Sequence, residues 1–201
     1  MNVLFVASHS DDVEIGCGGT VAKFIEENHN ILWVVCTREE KMVSEHKKVI
    51  RKIGLDEKNC LSLGFEMKQL PEHRREVLDF LIDIKFTFKP DLVIGPSLND
   101  CHQDHHVVAK EMMRAFKTSS SIICYEMPWN YIKFDTQLFI CLEERHVEKK
   151  INMLKQFKSQ FFVPHRALRM SEEFTRGLST VRGSQVDVKY AEAFEVLRWI
   201  L

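Results

Sequence analysis

The chain alternates between short apolar runs rich in β-branched residues and longer stretches whose apolar residues have helical spacing. Residues 3–7 and 31–37 are runs of the first kind, and Gln103–Phe116 is a stretch of the second kind. This alternation is typical of a parallel sheet whose strands are joined by crossover helices. Because 201 residues suffice for one sizeable core but not comfortably for two, we expect a single domain over residues 1–201.

The limits of most elements can be predicted from apolar spacing and from the residues at their ends. Ser44 is expected to cap the second helix, and Gly54 stands where a helix end favours a left-handed residue. Pro71 is expected to begin the third helix, which Lys89-Pro90 stops. Segment 190–200 fits a strand or a helix. The other predicted strands cover residues 3–7, 31–37, 61–65, 91–95, 121–126 and 138–142, and the other predicted helices cover 20–27, 44–53, 103–116, 143–157 and 171–178.

A glycine-rich segment, Gly16-Cys17-Gly18-Gly19, precedes the first predicted helix. It lacks the third glycine of a dinucleotide-binding fingerprint, since residue 21 is valine. The acidic pair Asp11-Asp12 before it would also repel a pyrophosphate. We therefore interpret the glycines as positions where the first helix packs closely on the sheet.

Two polar clusters follow strands of the predicted sheet. Residues 8–14 (Ser-His-Ser-Asp-Asp-Val-Glu) come directly after the first strand, and residues 100–106 (Asp-Cys-His-Gln-Asp-His-His) follow the fourth. We expect a Rossmann-like three-layer α/β sandwich with a mostly parallel sheet and the core strand order 3-2-1-4-5. In that order the first and fourth strands are neighbours, so the two clusters would face each other at the carboxyl edge, where such folds bind ligands.

Together the clusters offer the mixture of imidazole and carboxylate groups that a catalytic zinc binds, with three protein ligands and a fourth position for water. Adjacent residues on an extended turn point in different directions, so Asp11 and Asp12 are expected to have different tasks. One can bind the metal while the other acts as a base. The cofactor predicted is therefore Zn²⁺, with Fe²⁺ or another divalent ion left open for the cell.

These residues resemble the motifs of the metal-dependent N-acetylglucosaminyl deacetylases of the PIG-L/LmbE-like type. Members of that family open with a strand followed by Ala-His-Pro-Asp-Asp-Glu, and they carry His-Pro-Asp-His after a later strand. The corresponding segments here are Ser8-His9-Ser10-Asp11-Asp12 and His102-Gln103-Asp104-His105. The resemblance continues through residues 12–20 and 190–194, so it covers most of the chain.

The resemblance implies a role for each reactive side chain of the two clusters. The metal ligands it implies are His9, Asp12 and His105. Asp11 is implied to be the general base, and His102 is implied to stabilise the oxyanion. Asp104 would orient His102 and keep it protonated. The metal would lower the pKa of the attacking water and polarise the amide carbonyl.

The most serious departure from the family pattern lies in the loop after the second strand, residues 37–42. Many members have an arginine three residues before the glutamate that Glu45 resembles, and this chain has Met42 there. Since that arginine often helps to hold a charged group of the substrate, the natural acceptor of this chain is expected to differ. Whether Arg38 or the aromatic loop at residues 125–130 contacts the substrate is left open.

The predicted function is removal of an N-acetyl group from an amino-sugar conjugate of the N-acetylglucosamine type. One alternative is a metal-dependent esterase or amidase that acts on another acyl substrate. The other is a non-catalytic α/β module that binds a sugar or a nucleotide. The presence of Asp11 beside the implied ligands speaks against that module, because a binding module needs no general base next to its metal.

Charge and hydropathy bear on partners and location. Lys and Arg number 28 against 29 Asp and Glu, and the net charge of −1 predicts no nucleic-acid partner. The apolar start at residues 3–7 is short and lacks a basic flank, so it predicts neither a signal peptide nor a membrane span. We expect a cytoplasmic protein whose partner is a small amino-sugar conjugate, with a homo-oligomer left open. The histidines predicted to lie at the surface are His29, His46, His73, His146 and His165.

Overall fold

One seven-stranded sheet organises the computed structural model of the chain, which describes residues 1–131 and 133–200. The strands are β1 (Asn2–Ala7), β2 (Asn30–Thr37), β3 (Cys60–Phe65), β4 (Leu92–Gly95), β5 (Ser121–Tyr125), β6 (Leu138–Leu142) and β7 (Tyr190–Arg198). The helices are α1 (Asp12–Glu26), α2 (Glu40–Lys52), α3 (Arg74–Thr87), α4 (Gln103–Phe116), α5 (Glu144–Leu154), α6 (Pro164–Arg169) and α7 (Glu172–Ser184). Short 3₁₀ helices cover Glu57–Asn59 and Lys158–Phe162.

The strands lie in the order β3-β2-β1-β4-β5-β7-β6. Strands β1 to β5 pair in parallel, whereas β7 is antiparallel to both β5 and β6. The predicted Rossmann-like fold and its core order 3-2-1-4-5 are therefore confirmed. Segment 190–200, whose type the sequence left open, forms the strand that joins the parallel part of the sheet to its antiparallel edge.

The two faces of the sheet carry separate apolar cores, and β1 contributes to both. Val3 and Phe5 pack on the face that α1 covers, while Leu4 and Val6 pack on the face that α3 and α4 cover. All four side chains are fully buried. A strand that is buried on both faces explains why the sequence shows a continuous apolar run here instead of the alternation of a half-exposed strand.

Helix α1 begins eight residues earlier than the predicted start at residue 20, because the glycine-rich segment lies inside it. Cys17 has φ −148° and ψ 31°, so the helix is kinked within this segment. A Cβ atom on Gly16 would lie 2.5 Å from the Tyr125 ring, and one on Gly19 would lie 2.4 Å from Leu142. The predicted close packing of the glycines on the sheet is thus confirmed, and it outweighs their poor helix propensity.

Several other predicted limits are wrong. Ser44 does not cap α2 but lies inside it, where its hydroxyl donates to the Lys41 carbonyl at 2.8 Å. Pro71 lies in the turn before α3, which begins at Arg74. The left-handed conformation predicted for Gly54, after the end of α2, is by contrast confirmed, with φ +77°. Helix α6 was not predicted, and α7 extends beyond the predicted end at residue 178.

No helix in the described part of the chain has the length and apolar character needed to cross a bilayer. All the strands described above belong to the same sheet. A single domain over residues 1–201 stays a prediction, as does the cytoplasmic location.

The contact between Gly16 and Tyr125 makes a prediction about stability. We expect Gly16→Ala to lower the free energy of unfolding by about 1–3 kcal/mol, because the buried Tyr125 ring has no space into which to retreat. Gly177→Ala in exposed α7 is the matched control, since its Cβ would meet nothing within 4 Å. That control should raise stability by about 0.5–1 kcal/mol. Urea unfolding measures both, and equal effects would contradict the packing role of Gly16.

Candidate metal centre

The two polar clusters meet because β1 and β4 are hydrogen-bonded neighbours. His9 lies in the turn between β1 and α1, and this turn is held by two hydrogen bonds from Thr37 of β2 to the Ser8 carbonyl, at 2.9 and 2.8 Å. His102 is the N-cap of α4, and His105 lies in the first turn of that helix. The expectation that the clusters face each other at the carboxyl edge of the sheet is confirmed.

Three of the side chains bring their donor atoms together in a buried position. His9 Nδ1 lies 3.1 Å from His105 Nε2 and 3.5 Å from Asp12 Oδ2. His105 Nε2 lies 3.3 Å from Asp12 Oδ2. Ligand atoms bound tetrahedrally to zinc at about 2.0–2.1 Å are separated by about 3.3–3.4 Å. The donor set therefore fits a zinc-sized ion, and the ligand roles of these residues stay a prediction.

In each of the two buried imidazoles, the ring nitrogen that is not part of the donor set contacts a carboxylate. Asp104 Oδ2 lies 3.1 Å from His9 Nε2, and Asp100 Oδ2 lies 2.7 Å from His105 Nδ1. Metal-binding histidines almost always have such a partner, which fixes the ring and its tautomer. The Asn130 amide also donates to Asp100 Oδ2, at 3.0 Å. Sequence reasoning gave Asp100 no role, although its position five residues before a candidate histidine ligand was a usable signal.

The expected relation between Asp104 and His102 has to be corrected. The Asp104 carboxylate contacts His9 and not His102, and only the Asp104 backbone N–H reaches His102, donating to Nδ1 at 3.2 Å. Because Nδ1 accepts a hydrogen bond, the ring carries its proton on Nε2. Burial and the neighbouring imidazoles of His105 and His9 lower the pKa of His102. This surrounding therefore favours the neutral imidazole over the charged form that the resemblance implied.

His102 is also close enough to the buried pair to be considered with it. One ring nitrogen each of His9, His102 and His105 lies within 4.8 Å of the others, a spacing that could hold a metal ion. The His102 ring centroid lies 4.9 Å from that of His9 and 4.8 Å from that of His105. His102 thus lies beside the candidate ion position and faces the same pocket.

The electrostatics of the site separate the two adjacent aspartates. Burial opposes ionisation of Asp12, but the positive charges of His105 and His9 outweigh it and hold the pKa of Asp12 far below its usual range. Burial and the negative charge of Asp12 raise the pKa of Asp11 to about 7. One carboxylate is therefore fixed as an anion that attracts a cation, and its neighbour can exchange a proton near neutral pH.

The imidazoles respond to the same charges. Burial by itself lowers the pKa of His9 and of His105, and the negative charge of the Asp12 carboxylate acts against it. The hydrogen bonds that His9 donates to Asp104 and that His105 donates to Asp100 act in the same direction as Asp12, and together these contributions raise both pKa values. The carboxylates of this part of the site therefore stabilise positive charge, and a bound metal ion would supply such a charge.

The candidate ligands lie at the base of a pocket whose walls come from several loops. Asp11 lines this pocket and is partly exposed there, and its carboxylate has no hydrogen-bond partner among the described residues. The aromatic loop contributes Met127, Trp129 and Asn130 to the wall. Arg38 does not line the pocket and pairs with Glu40 at the surface. Of the two candidate substrate contacts that the sequence left open, Arg38 and the loop at residues 125–130, only the loop lines the pocket.

Two histidines predicted at the surface are buried. The Nδ1–H group of His46 donates to Glu14 Oε1 at 2.9 Å, and its Nε2 lies 3.2 Å from Cys60 Sγ. The Glu14 carboxylate is therefore hydrogen-bonded to His46 of α2 and to none of the candidate metal ligands among the described residues. His146 is only 1% exposed and closes a capping box with Glu143 at the start of α5. His46 is held by a residue 32 positions away in the chain, whereas His146 is held by a local contact at the start of its own helix.

The chain is thus an α/β protein with a candidate metal site at the point where the strand order of its parallel sheet reverses. Residues 4–116, more than half of the chain, match the family model described as PIG-L, GlcNAc-PI de-N-acetylase. The chain belongs to this family, and the predicted membership of the PIG-L/LmbE-like deacetylases is confirmed.

Individual relatives agree with this membership. An uncharacterised deacetylase of Escherichia coli K12, YaiS, is 27% identical over an alignment of 169 residues that covers 78% of this chain and 90% of that protein. The N,N'-diacetylchitobiose deacetylase of Pyrococcus horikoshii superposes with a TM-score of 0.78 at 20% identity, covering 98% of this chain and 83% of that one. The 4-carboxy-2-hydroxymuconate hydratase GalB of Pseudomonas putida KT2440 superposes with a TM-score of 0.72 at 16% identity, covering 100% and 97%. The similarity to these two solved structures, at 20% and 16% identity, shows the fold alone.

The contact between Asp100 and His105 predicts a change in metal affinity. We expect Asp100→Asn to weaken zinc binding about 10- to 100-fold, because an amide holds the His105 ring and its tautomer less well than a carboxylate. Competition with a chromophoric chelator measures the dissociation constant. Asp79→Asn, which alters an exposed carboxylate paired with Arg75 on α3, is the matched control and should bind zinc like the unaltered protein. Equal affinities for the two variants would contradict the role assigned to Asp100.

Proposed function

We propose that this protein removes N-acetyl groups from amino-sugar conjugates by metal-dependent hydrolysis. The observation that carries the proposal is the Asp11 carboxylate, which has no hydrogen-bond partner among the described residues and lies next to the donor set of His9, Asp12 and His105. Family membership gives the class of reaction, deacetylation. A candidate cation site next to a carboxylate that can act as a base supports metal-dependent hydrolysis as the mechanism.

Asp11 is the residue proposed to move protons. A carboxylate with a pKa of about 7 can accept a proton from the attacking water at neutral pH. The same group then carries that proton to the nitrogen of the leaving amino sugar as the C–N bond breaks. A divalent ion, when bound, polarises the amide carbonyl and lowers the pKa of water. Acetate and a free amine are the products, and Asp11 returns to its starting state.

His102 is proposed to stabilise the negative charge that develops on the carbonyl oxygen. Its Nδ1 accepts the Asp104 N–H at 3.2 Å, so its Nε2–H is free to donate a hydrogen bond. A neutral imidazole that donates a preorganised hydrogen bond can do this without carrying a charge. Asp104 supports the site in a different way from the one first expected, by fixing the His9 ring at 3.1 Å.

The pocket wall is suited to a sugar ring. Trp129 and Met127 supply apolar surface, and aromatic faces of this kind pack well against the C–H faces of sugars. Asn130, which is anchored to Asp100, adds an amide that can contact a hydroxyl group. A small amino-sugar conjugate, entering with its acetamido group toward Asp11, therefore fits the site. Zinc as the native ion and a homo-oligomeric state stay predictions.

Hydrolysis of another acyl substrate, by an esterase or a different amidase, would use the same groups. The sheet arrangement by itself does not choose among chemistries, since a hydratase has a similar fold. A non-catalytic binding module would not need the Asp11 base. The substrate and the chelator sensitivity therefore have to be tested directly.

The proposed base predicts a specific kinetic result. We expect Asp11→Asn to retain zinc and to lose about 10²- to 10⁴-fold in kcat, because an amide cannot accept the proton. His9→Ala should lose the metal itself. Zinc content by atomic absorption and acetate release from N-acetylglucosamine conjugates measure the two effects, with a chelator as the metal-free reference.

The outcomes separate the competing functions. Chelator-sensitive acetate release supports the deacetylase, and release from O-acetyl esters alone would favour the esterase. Binding of the sugar conjugate without release of acetate would support the non-catalytic binding module. If Asp11→Asn and His9→Ala lost metal equally, Asp11 would be a ligand and the assignment of the base would be wrong.

A further inference from the structure

A second cluster of reactive side chains lies outside the candidate metal centre, on α1, α2 and the start of β3. The Nδ1–H group of His46 donates to Glu14 Oε1 at 2.9 Å, and His46 Nε2 lies 3.2 Å from Cys60 Sγ. The imidazole therefore lies between a thiol and a carboxylate. A nucleophile next to a base that a third group orients is the arrangement by which proteins activate thiols and hydroxyls.

The imidazole of this cluster is held in a defined position. His46 is only 5% exposed, and its ring lies edge-on to Trp33, with the ring centroids 5.1 Å apart. The Phe157 ring packs on it as well, with the centroids 6.4 Å apart. Cys60 pairs with Trp33 across β3 and β2, so the sheet places the sulfur next to the same ring. The contact between sulfur and nitrogen thus joins two parts of the core and is not a chance meeting of surface side chains.

The carboxylate of the cluster is buried without being fully hydrogen-bonded. Glu14 is fully buried, and its Oε2 has no hydrogen-bond partner among the described residues. A buried polar atom without a partner costs free energy and calls for a reason beyond packing. Orientation of the His46 ring through Oε1 supplies such a reason.

The imidazole can hold the proton of the thiol. Burial by itself lowers the pKa of His46, whereas the negative charge of Glu14 and the hydrogen bonds to Cys60 and Glu14 act against it, and together these contributions raise this pKa to about 10. Since Nδ1–H donates to Glu14, Nε2 is the nitrogen that exchanges a proton with the sulfur. A thiolate next to an imidazolium is the nucleophilic form of cysteine.

Cys60 and His46 line a small cavity that is separate from the pocket above the candidate metal centre. The two cavities share no lining residue. Most of the wall is apolar and comes from Val35, Val43, Ile50 and Leu61. Lys47 and Glu57 also line the cavity and are exposed, so it opens to solvent. Its volume of about 80 Å³ has room for a few water molecules, and therefore for a reagent of similar size.

No other cysteine of the described residues combines access to solvent with a partner imidazole. Burial raises the pKa of the three fully buried thiols and makes them unreactive, namely Cys17, Cys36 and Cys124. Two thiols are exposed and have no imidazole within hydrogen-bond distance in the part of the chain that the structure describes, namely Cys101 and Cys141. The thiol of Cys60 is thus the one whose surroundings favour reaction.

We propose that Cys60 is a modification site, a thiol that His46 activates for oxidation by hydrogen peroxide. The thiolate sulfur attacks one peroxide oxygen, so that an S–O bond forms and the O–O bond breaks. The leaving hydroxide takes the proton of His46 Nε2 and departs as water, while Cys60 becomes a sulfenic acid. The sulfur loses two electrons and the peroxide gains them. This inference does not depend on the proposed deacetylation.

The test measures how fast each cysteine of the zinc-loaded protein is oxidised. Zinc is the suitable ion because it has no redox chemistry of its own. Hydrogen peroxide is added together with dimedone, which traps sulfenic acids, and mass spectrometry of the peptides gives a rate for each cysteine. We expect Cys60 to be labelled about 10-fold faster than Cys141, although Cys141 is the more exposed of the two, because a free thiol is only a few per cent thiolate at neutral pH.

Two variants show whether the imidazole causes the reactivity. His46→Gln removes the group that holds the proton and should lower the rate at Cys60 about 10-fold, to that of Cys141 or below. Lys47→Gln removes a positive charge from the wall of the same cavity and is the matched control. It should leave the rate at Cys60 within about twofold of the unaltered protein, since Lys47 makes no hydrogen bond to the sulfur.

Three results would each overturn the inference. The first is oxidation of Cys60 no faster than that of Cys141 in the unaltered protein. The second is an unchanged rate at Cys60 in His46→Gln, and the third is an equal loss in Lys47→Gln. Labelling of the buried Cys36 reports unfolding of a variant. If His46→Gln did unfold, the comparison of Cys60 with Cys141 in the unaltered protein would still decide the question.

Discussion

The parallel pairing of β1 with β4 is the interaction on which the rest of the site depends. It places Leu4 opposite Val93 at the centre of a strand pair that is buried on both faces, so the two strand ends cannot shift relative to each other without exposing apolar side chains. His9 follows one strand within two residues of its end, and His105 lies in the helix that follows the other. Donor atoms 3.1 Å apart but 96 positions apart in sequence are held together by the sheet, not by local structure.

Much of this arrangement could be predicted from the sequence, because the signals for it are local and redundant. Apolar runs identified the parallel strands, and the helix Gln103–Phe116 was predicted with its observed limits. Polar residues directly after β1 and β4 indicated the edge at which a ligand site would form. The convergence of the two polar clusters followed from the strand order 3-2-1-4-5, whereas the choice of His9, Asp12 and His105 within them came from the family resemblance.

The remainder depended on contacts that no local pattern shows. The start of α1 was predicted too late because glycines disfavour an isolated helix. In the folded protein, Tyr125 and Leu142 lie so close to α1 that only glycine fits at the two positions that face them. The carboxylate of Asp104 was assigned to its neighbour His102, and it contacts His9, 95 residues away. His46 looked like a surface histidine on a charged helix, and its partner Glu14 lies on another element. In each case a residue distant in sequence decided the outcome.

The hydrogen bonds that Asp104 accepts from the backbone of the loop before α3 have a consequence for how the molecule responds to its ligands. Its carboxylate receives the N–H groups of Lys68, at 2.6 Å, and Leu70, at 3.3 Å, while it also contacts His9. Lys68 adopts a left-handed conformation, with φ 70°, that a lysine takes only when neighbouring contacts require it. One carboxylate thus connects a wall of the pocket to an imidazole of the candidate metal centre. Occupancy of the ion position and order in that wall are then thermodynamically linked, so each ligand is expected to strengthen the hold on the other by the same factor.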